Sequence, residues 1–205
     1  MKHVKSFKQL PWLNESGPGL ELLELRAYLL RHGIPVEEWG RGSAKGIEHL
    51  AEELGSGECR LVSERGVLYR EIEFVMCWIL YVSPEGVWRL VESKQVFKDG
   101  RVRVREKDSS VSEKMRPGED PFLCLVRGVE EELGIRLAPD QVEALSFLQE
   151  ERESGSFPGL ATRYRGHRFR CYLDRSQWRP TGYLERQPDK TTHFSWVLEE
   201  PLGTP

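Results

Sequence analysis

Four glutamates around one predicted helix are the residues of this sequence best suited to do chemistry. Glu119 precedes the helix, whereas Glu130, Glu131 and Glu132 lie near its C-terminal end. The helix dipole opposes each carboxylate at that end by a few tenths to about 1 kcal/mol, which favours a compensating cation. Mg²⁺ is typically held by one or two carboxylates together with substrate phosphate oxygens. The pattern indicates a metal site for phosphoryl chemistry, while the alternative is an ordinary solvated helix face.

The helix that positions these carboxylates is predicted over Pro121–Leu133. Asp120 suits the N-cap, a proline suits the first helical position, and Gly134 is where the helix should end. Its apolar stripe consists of Phe122, Leu125 or Val126, Val129 and Leu133. Arg127, four residues before Glu131, can offset one of the charges on the remaining face.

Two further helices are predicted near the N-terminus. Leu20–His32 has apolar residues at helical spacing, and Ser43–Leu54 has a second such stripe with Ser43 as a suitable N-cap. From residue 59 the sequence becomes rich in β-branched and aromatic residues. We therefore predict a helical accessory segment over residues 1–58 and a separate domain over residues 59–205.

The second domain is predicted to be built mainly on strands. These are Val67–Val82, Val87–Phe97, Arg101–Arg105, Val142–Leu148, Thr162–Leu173 and Thr192–Leu198. Asp99-Gly100 is typical of a hairpin turn, and the polar residues 106–119 and 150–159 predict loops. Strands on both sides of a helix, without regular alternation, predict a mixed sheet covered by helices.

The spacing of the acidic residues resembles the Nudix box, G-x5-E-x7-R-E-U-x-E-E-x-G-U, in which U is a bulky apolar residue. Residues 113–135 match it at Glu119, Arg127, Val129, Glu131, Glu132, Gly134 and Ile135. The resemblance implies an α/β fold, a Nudix-like α/β/α sandwich around a mixed β-sheet, over residues 59–205. It also implies hydrolysis, dependent on Mg²⁺ or Mn²⁺, of a nucleoside diphosphate linked to another moiety. Glu119, Glu131 and Glu132 would bind the metal, and Arg127 would orient the carboxylates.

Two positions depart from the box. Gly128 stands where the box has a glutamate, and Ser112-Glu113 stand where family members commonly have a Gly-Gly pair. The first change removes a carboxylate one turn before Glu132. Glu150, Glu151 and Glu153 of the later loop could supply a substitute base, although an ordinary acidic surface loop is the favoured interpretation. The rival to an enzyme is a nucleotide-binding or regulatory protein that has lost turnover.

Composition limits the other function classes. The net charge of -3 and pI near 6.0 provide no overall basic field, so dedicated nucleic-acid binding is not expected. No run of about 18 apolar residues and no signal peptide are found, which predicts a cytoplasmic protein without a membrane span. The cysteines form no CxxC pair and are predicted to be buried free thiols, namely Cys59, Cys77, Cys124 and Cys171.

Four weaker features complete the candidates. One predicted strand carries an alternating series of arginines, namely Arg163, Arg165, Arg168 and Arg170. These side chains could contact phosphate, although the solvent face of a strand is the favoured interpretation. Phe157 could stack on a base, but anchoring its loop is the favoured role. The turn at residues 40–43 could hold an anion. The N-terminal helices could form a homodimer or dock a partner.

Overall fold

A computed structural model describes residues 18–104 and 109–199, and for residues 18–21 it describes the backbone alone. The helices are α1 Pro18–Arg31, α2 Ile47–Ser56 and α3 Pro121–Leu133. The strands are β1 Arg60–Glu64, β2 Val67–Ser83, β3 Gly86–Phe97, β4 Val102–Val104, β5 Val111–Lys114, β6 Val142–Ala144, β7 Leu148–Glu153, β8 Ala161–Tyr172, β9 Tyr183–Arg186 and β10 Lys190–Leu198. The predictions made for residues 1–17, 105–108 and 200–205 lie outside the described residues.

The chain divides into two compact units. Among the described residues, unit 1 comprises residues 18–73, 114–118 and 148–165, and unit 2 comprises residues 74–104, 109–113, 119–147 and 166–199. The strands β2 and β8 each contribute residues to both units. The division after residue 58 that the sequence favours stays a prediction.

Unit 1 is organised around the N-terminal helices. Helix α1 packs on α2, and Leu29 and Leu50 are fully buried. Strand β1 forms a hairpin with the start of β2, and its turn places Arg65 and Gly66 at positive φ angles of 52° and 84°. Successive positive φ angles are those of the turn that matches the twist of an antiparallel hairpin. The two helices are thus part of a unit that also contains paired strands.

A buried carboxylate lies inside unit 1. Glu53 of α2 is 5% exposed and forms an ion pair with Arg70, whose side chain is also 5% exposed. Lys45 Nζ and Lys114 Nζ each lie 2.9 Å from Oε1 of Glu53. Burial by itself would raise the pKa of Glu53, but Arg70, Lys114 and Lys45 lower it from an ordinary 4.5 to about 2. Glu53 is therefore ionised at neutral pH and compensates three cationic side chains.

Unit 2 contains most of the sheet. Its strand order is β6-β8-β2-β3-β10-β9, and the β2–β3, β3–β10, β10–β9 and β6–β8 pairs are antiparallel. The amide of Leu173 donates to the carbonyl of Leu80, and Gly166 lies against Phe74, so β8 runs parallel to β2. Helix α3 packs against β9. The predicted α/β fold with a mixed sheet, accompanying helices and a helical N-terminal segment is confirmed.

Strand β5 corrects the prediction of a continuous loop over residues 106–119. It pairs with β2, and the preceding Ser110 Oγ both accepts from the amide of Ile79 and donates to the carbonyl of Leu90. Val111 is the one strongly apolar residue of β5 and is buried. A strand held by partners about 20 to 30 residues away carries little local signal.

Other boundaries also differ from the predictions. Helix α2 begins at Ile47 with Gly46 as its N-cap, so the prediction of Ser43 at that position is wrong. The predicted loop from residue 150 begins instead as the end of β7, and the predicted strand Val142–Leu148 is interrupted after Ala144. The short strands β1 and β9 were not predicted. Helix α3, in contrast, has the predicted bounds.

The four cysteines are free and buried, as predicted. Burial is the main cause that raises the pKa of Cys59 to about 11 and that of Cys124 to about 12. A hydrogen bond with Cys171, together with burial, raises the pKa of Cys77 well above its ordinary value. Thiols held protonated in this way are poor nucleophiles at neutral pH.

Across the residues that are described, none of the helices is long and apolar enough to cross a membrane.

Candidate functional site

Helix α3 begins and ends where its sequence predicts. The Asp120 carboxylate accepts hydrogen bonds from the amides of Phe122 and Leu123 at 2.9 and 3.2 Å, and Gly134 ends the helix at a φ of 66°. The buried face includes Leu125, Val129 and Leu133. Packing of that face fixes the rotation of the helix, and this rotation leaves Arg127 partly buried and Glu131 exposed.

Arg127 is the centre of an ion-pair network in unit 2. Its Nε and Nη2 donate to Oε1 and Oε2 of Glu119 at 3.0 and 3.2 Å, which makes a bidentate pair. Its Nη1 donates to Oε1 of Glu113 at 2.9 Å and lies 3.5 Å from Oε2 of Glu131. Hydrogen bonds with Glu119, opposed by burial and assisted by Glu113, raise the pKa of Arg127. One guanidinium therefore gathers three carboxylates from the loop, from β5 and from α3.

The three consecutive glutamates of α3 have different surroundings. Glu130 forms an exposed ion pair with Arg136, and the Glu131 side chain is 59% exposed. Glu132 is partly buried, and its charge contributes to raising the pKa of the Cys77 thiol. Glu131 and Glu132 are the two that the sequence assigns to metal binding, and Glu130 is engaged away from Arg127. The three consecutive glutamates thus differ in exposure and in their charged partners.

Gly128 is buried where α3 meets β5. A Cβ atom added to Gly128 would lie 2.9 Å from Cβ and 3.2 Å from Cγ of Glu113, and 3.7 Å from Cγ1 of Val111. Val111 and Glu113 are two residues apart and therefore point to the same face of β5. The glycine at position 128 is what allows the Glu113 side chain to lie directly against the helix.

The donor set suits a hard cation that arrives with its substrate. Within residues 18–104 and 109–199, no group of three or more His, Cys, Asp or Glu side chains is arranged to hold a metal ion by itself. Mg²⁺ does not need such a group, because it usually keeps several waters and takes one or two protein carboxylates plus phosphate oxygens. The Glu131 side chain is exposed and presents carboxylate oxygens, the class of donor that Mg²⁺ prefers.

Comparisons with solved structures give matches at low TM-scores and low sequence identity. No protein-family model and no curated protein matches the chain. The C. elegans Ap4A hydrolase structure has 12% identity and a TM-score of 0.34, covering 62% of this chain and 79% of that one. A MutT/nudix family protein from Enterococcus faecalis has 11% identity and a TM-score of 0.45, covering 92% of this chain and 58% of that one. The NUDIX domain of Shewanella oneidensis NrtR, complexed with ADP ribose, has 8% identity and a TM-score of 0.36, covering 72% and 82%.

The three glutamates considered as a substitute base lie on β7 in unit 1, where each has a local partner. Glu150 pairs with Arg152, and Glu151 pairs with Arg163. Glu153 accepts a hydrogen bond from the amide of Gly159 at 2.8 Å. Their role as a base stays a prediction.

The remaining sequence candidates have structural roles. Phe157 is fully buried against Trp39, with the Arg70 guanidinium 5.0 Å from its ring centre, so it anchors its segment as favoured. In unit 1, Arg163 is bound by carboxylates of Glu64, Glu71 and Glu151. In unit 2, Arg170 pairs with Glu143. The solvent-face interpretation of the arginine series agrees with these ion pairs.

Sequence reasoning missed the position of Glu113. It treated this residue only as the loss of a flexible glycine, whereas the side chain is a direct partner of Arg127. A signal was present in the sequence: a glutamate stands at a glycine position of the box, and a glycine stands at a glutamate position. The two changes together indicate that side chains at positions 113 and 128 would occupy the same space.

Proposed function

We propose that this protein hydrolyses a nucleoside diphosphate linked to another moiety, with a Mg²⁺ or Mn²⁺ ion held at α3. The observation that carries the proposal is the Arg127 network, in which one guanidinium gathers Glu113, Glu119 and Glu131 beside the exposed end of the helix. In this proposal Glu131 and Glu132 hold the cation.

The proposed roles of the other residues follow from their contacts. Arg127 keeps the carboxylates close together and limits their mutual repulsion. Both carboxylate oxygens of Glu119 accept hydrogen bonds from Arg127. We therefore expect replacement of Glu119 to impair the site mainly by releasing Arg127. A role of Glu119 as a metal ligand stays a prediction. A bound divalent cation supplies polarisation of a phosphoryl oxygen and charge neutralisation. In this proposal the protein's carboxylates determine where the cation is bound.

A second function is favoured by Gly128. The absence of a carboxylate from this position, which the box fills with glutamate, suits a protein that binds a nucleotide without turning it over. Such a protein would be stabilised by the nucleotide because binding shifts the unfolding equilibrium toward the folded state. Hydrolysis is the measurement that separates the two functions.

Hydrolysis should depend on the divalent cation. We expect the purified protein to cleave at least one compound of a panel of nucleotide sugars, dinucleoside polyphosphates and nucleoside triphosphates in Mg²⁺ or Mn²⁺. Cleavage should stop in EDTA and return when the metal is restored, as followed by chromatography of the products. A nucleotide that raises the Tm without any product would instead favour the binding protein, and no product together with no Tm shift would contradict both.

A further inference from the structure

A β-bulge in unit 2 turns two polar residues of β3 to the same face of the sheet. The register of β3 with β10 shifts between His193 and Phe194, which makes Ser93 the extra residue of β3. Ser93 Oγ donates to the carbonyl of His193 at 3.0 Å. Strict alternation would place Glu92 and Gln95 on opposite faces. Because of the bulge both are buried, with exposures of 3% and 4%.

Gln95 belongs to a row of polar residues that crosses β3, β10 and β9. Thr192 of β10 is directly opposite Gln95 and, on its other side, directly opposite Glu185 of β9. Residues paired in this way point to the same face of an antiparallel sheet. Thr192 is 2% exposed, whereas Glu185 is only partly buried. The row therefore runs from the interior of unit 2 to an accessible residue on β9, the last strand of the sheet.

The hydroxyl of Thr192 lacks a hydrogen bond. Its Oγ1 is buried and, among the residues that the structure describes, has no partner. The hydroxyl therefore does not bond to the Gln95 amide on the neighbouring strand. A buried hydroxyl without a partner destabilises the folded state, and such groups in native proteins call for a missing partner such as a ligand or an ordered water.

The side chains of this face suit an uncharged ligand that carries hydroxyl groups. Gln95 and Thr192 can each donate and accept a hydrogen bond. Glu92 and Glu185 add carboxylates, which accept hydrogen bonds but repel phosphate oxygens, and they outnumber Lys190 on the same side of β10. A sugar hydroxyl both donates and accepts, so it can bond to the amide and to the threonine hydroxyl together.

We infer that Gln95 and Thr192 bind a sugar hydroxyl of the nucleotide substrate, with Glu185 at the accessible end of this site. The inference rests on the proposed function, because it presupposes a substrate of that class. Helix α3, which carries the proposed cation site, packs against β9. The rival is a water held permanently between the two side chains. The two accounts differ when ligand affinity and stability are measured on the same variants.

Calorimetric titration of the wild-type protein, Thr192→Val, Gln95→Leu and Thr191→Val tests the site. Thr191→Val is the matched control, because Thr191 is adjacent to Thr192 on β10 but points to the other face. The compounds are ADP, ADP-glucose and 2′,3′-dideoxy-ADP, with Ca²⁺ in place of Mg²⁺ and chromatography to verify that they stay intact. Thr192→Val and Gln95→Leu should each weaken binding of ADP or ADP-glucose about fivefold to tenfold. Thr191→Val should bind as the wild type does.

Stability supplies the second readout. Thr192→Val should keep or raise the Tm, because valine has the shape of threonine and removes an unpaired buried hydroxyl. A lower Tm together with unchanged affinity would establish the held water and overturn the inference.

The three compounds distinguish the sources of the hydroxyl. Loss of ADP affinity in Thr192→Val, with binding of 2′,3′-dideoxy-ADP unchanged, assigns the ribose, and loss confined to ADP-glucose assigns the sugar beyond the diphosphate. An equal loss for 2′,3′-dideoxy-ADP would place the contact on the base and overturn the inference. A wild-type protein that binds none of the compounds would also overturn it, while hydrolysis of any compound of the panel would leave the proposed function standing.

Discussion

Replacing Glu53 by glutamine should lower the free energy of unfolding by about 3 kcal/mol, the largest loss of stability that we expect from a single isosteric change. The substitution keeps the shape of the side chain but removes the charge that faces Arg70, Lys45 and Lys114. Arg70 is then left buried beside a neutral amide. Removing one partner of a buried ion pair is costly because the other charge stays out of water.

The same residue should dominate the response of the wild-type protein to acid. Because the pKa of Glu53 is lowered to about 2 in the folded state from an ordinary 4.5, its contribution is fully present above pH 4.5. It is lost progressively as the pH falls from about 4.5 to about 2. The Glu53→Gln variant should therefore show a weaker dependence of stability on pH across this interval.

Urea unfolding at several pH values measures both effects, with Glu52→Gln as the matched control. Glu52 is the neighbouring residue on α2 and is exposed, so its variant should stay within about 0.5 kcal/mol of the wild type. A Glu53→Gln protein as stable as the Glu52→Gln protein at pH 7 would contradict the account of this cluster.

Arg127→Met should have the second-largest effect, and it should act on stability and on metal binding together. The change removes the donor to Glu119 and Glu113 and leaves their carboxylates close to Glu131 without the guanidinium. The Arg127 side chain is 17% exposed, so we expect a loss of about 2 kcal/mol in the free energy of unfolding. Mn²⁺ affinity and any hydrolysis should fall by about tenfold to a hundredfold, because the carboxylates lose their orientation.

Arg136→Met is the matched control for Arg127. Arg136 follows the same helix, and its ion pair with Glu130 is exposed, with the arginine side chain 87% accessible. Exposed pairs of this kind contribute little to stability, because water screens the charges. Equal losses of stability and Mn²⁺ affinity in the two variants would mean that Arg127 has no special part in the site.

The features that were predictable from sequence are those determined by neighbouring residues. Helix α3 was predicted with its observed bounds because Asp120, its proline and Gly134 act within one turn of the helix ends. The β3–β4 hairpin was predicted for the same reason, since Gly100 adopts a positive φ of 85° at the turn. The site residues on α3 could be located because the helix itself sets their spacing.

The features that were missed depend on contacts distant in sequence. Strand β5 is defined by pairing with β2, and its polar sequence gave no alternation to detect. Glu53 lies on a helix stripe between apolar positions, and its burial requires Arg70 of a strand 17 residues later. The sequence also favours Gly128→Glu as a repair of the box, whereas the position of Glu113 predicts that this change alone is harmful.

The central claim is that the carboxylates of α3 hold the cation used in diphosphate hydrolysis, and one comparison of rates tests it most directly. For the compound of the panel that is cleaved fastest in Mg²⁺, kcat/KM is measured for the wild-type protein, for Glu131→Gln/Glu132→Gln and for Glu130→Gln. We predict a loss on the order of a hundredfold or more for the double variant, with its circular dichroism unchanged, and a wild-type rate for Glu130→Gln. Equal rates for all three proteins would contradict the account.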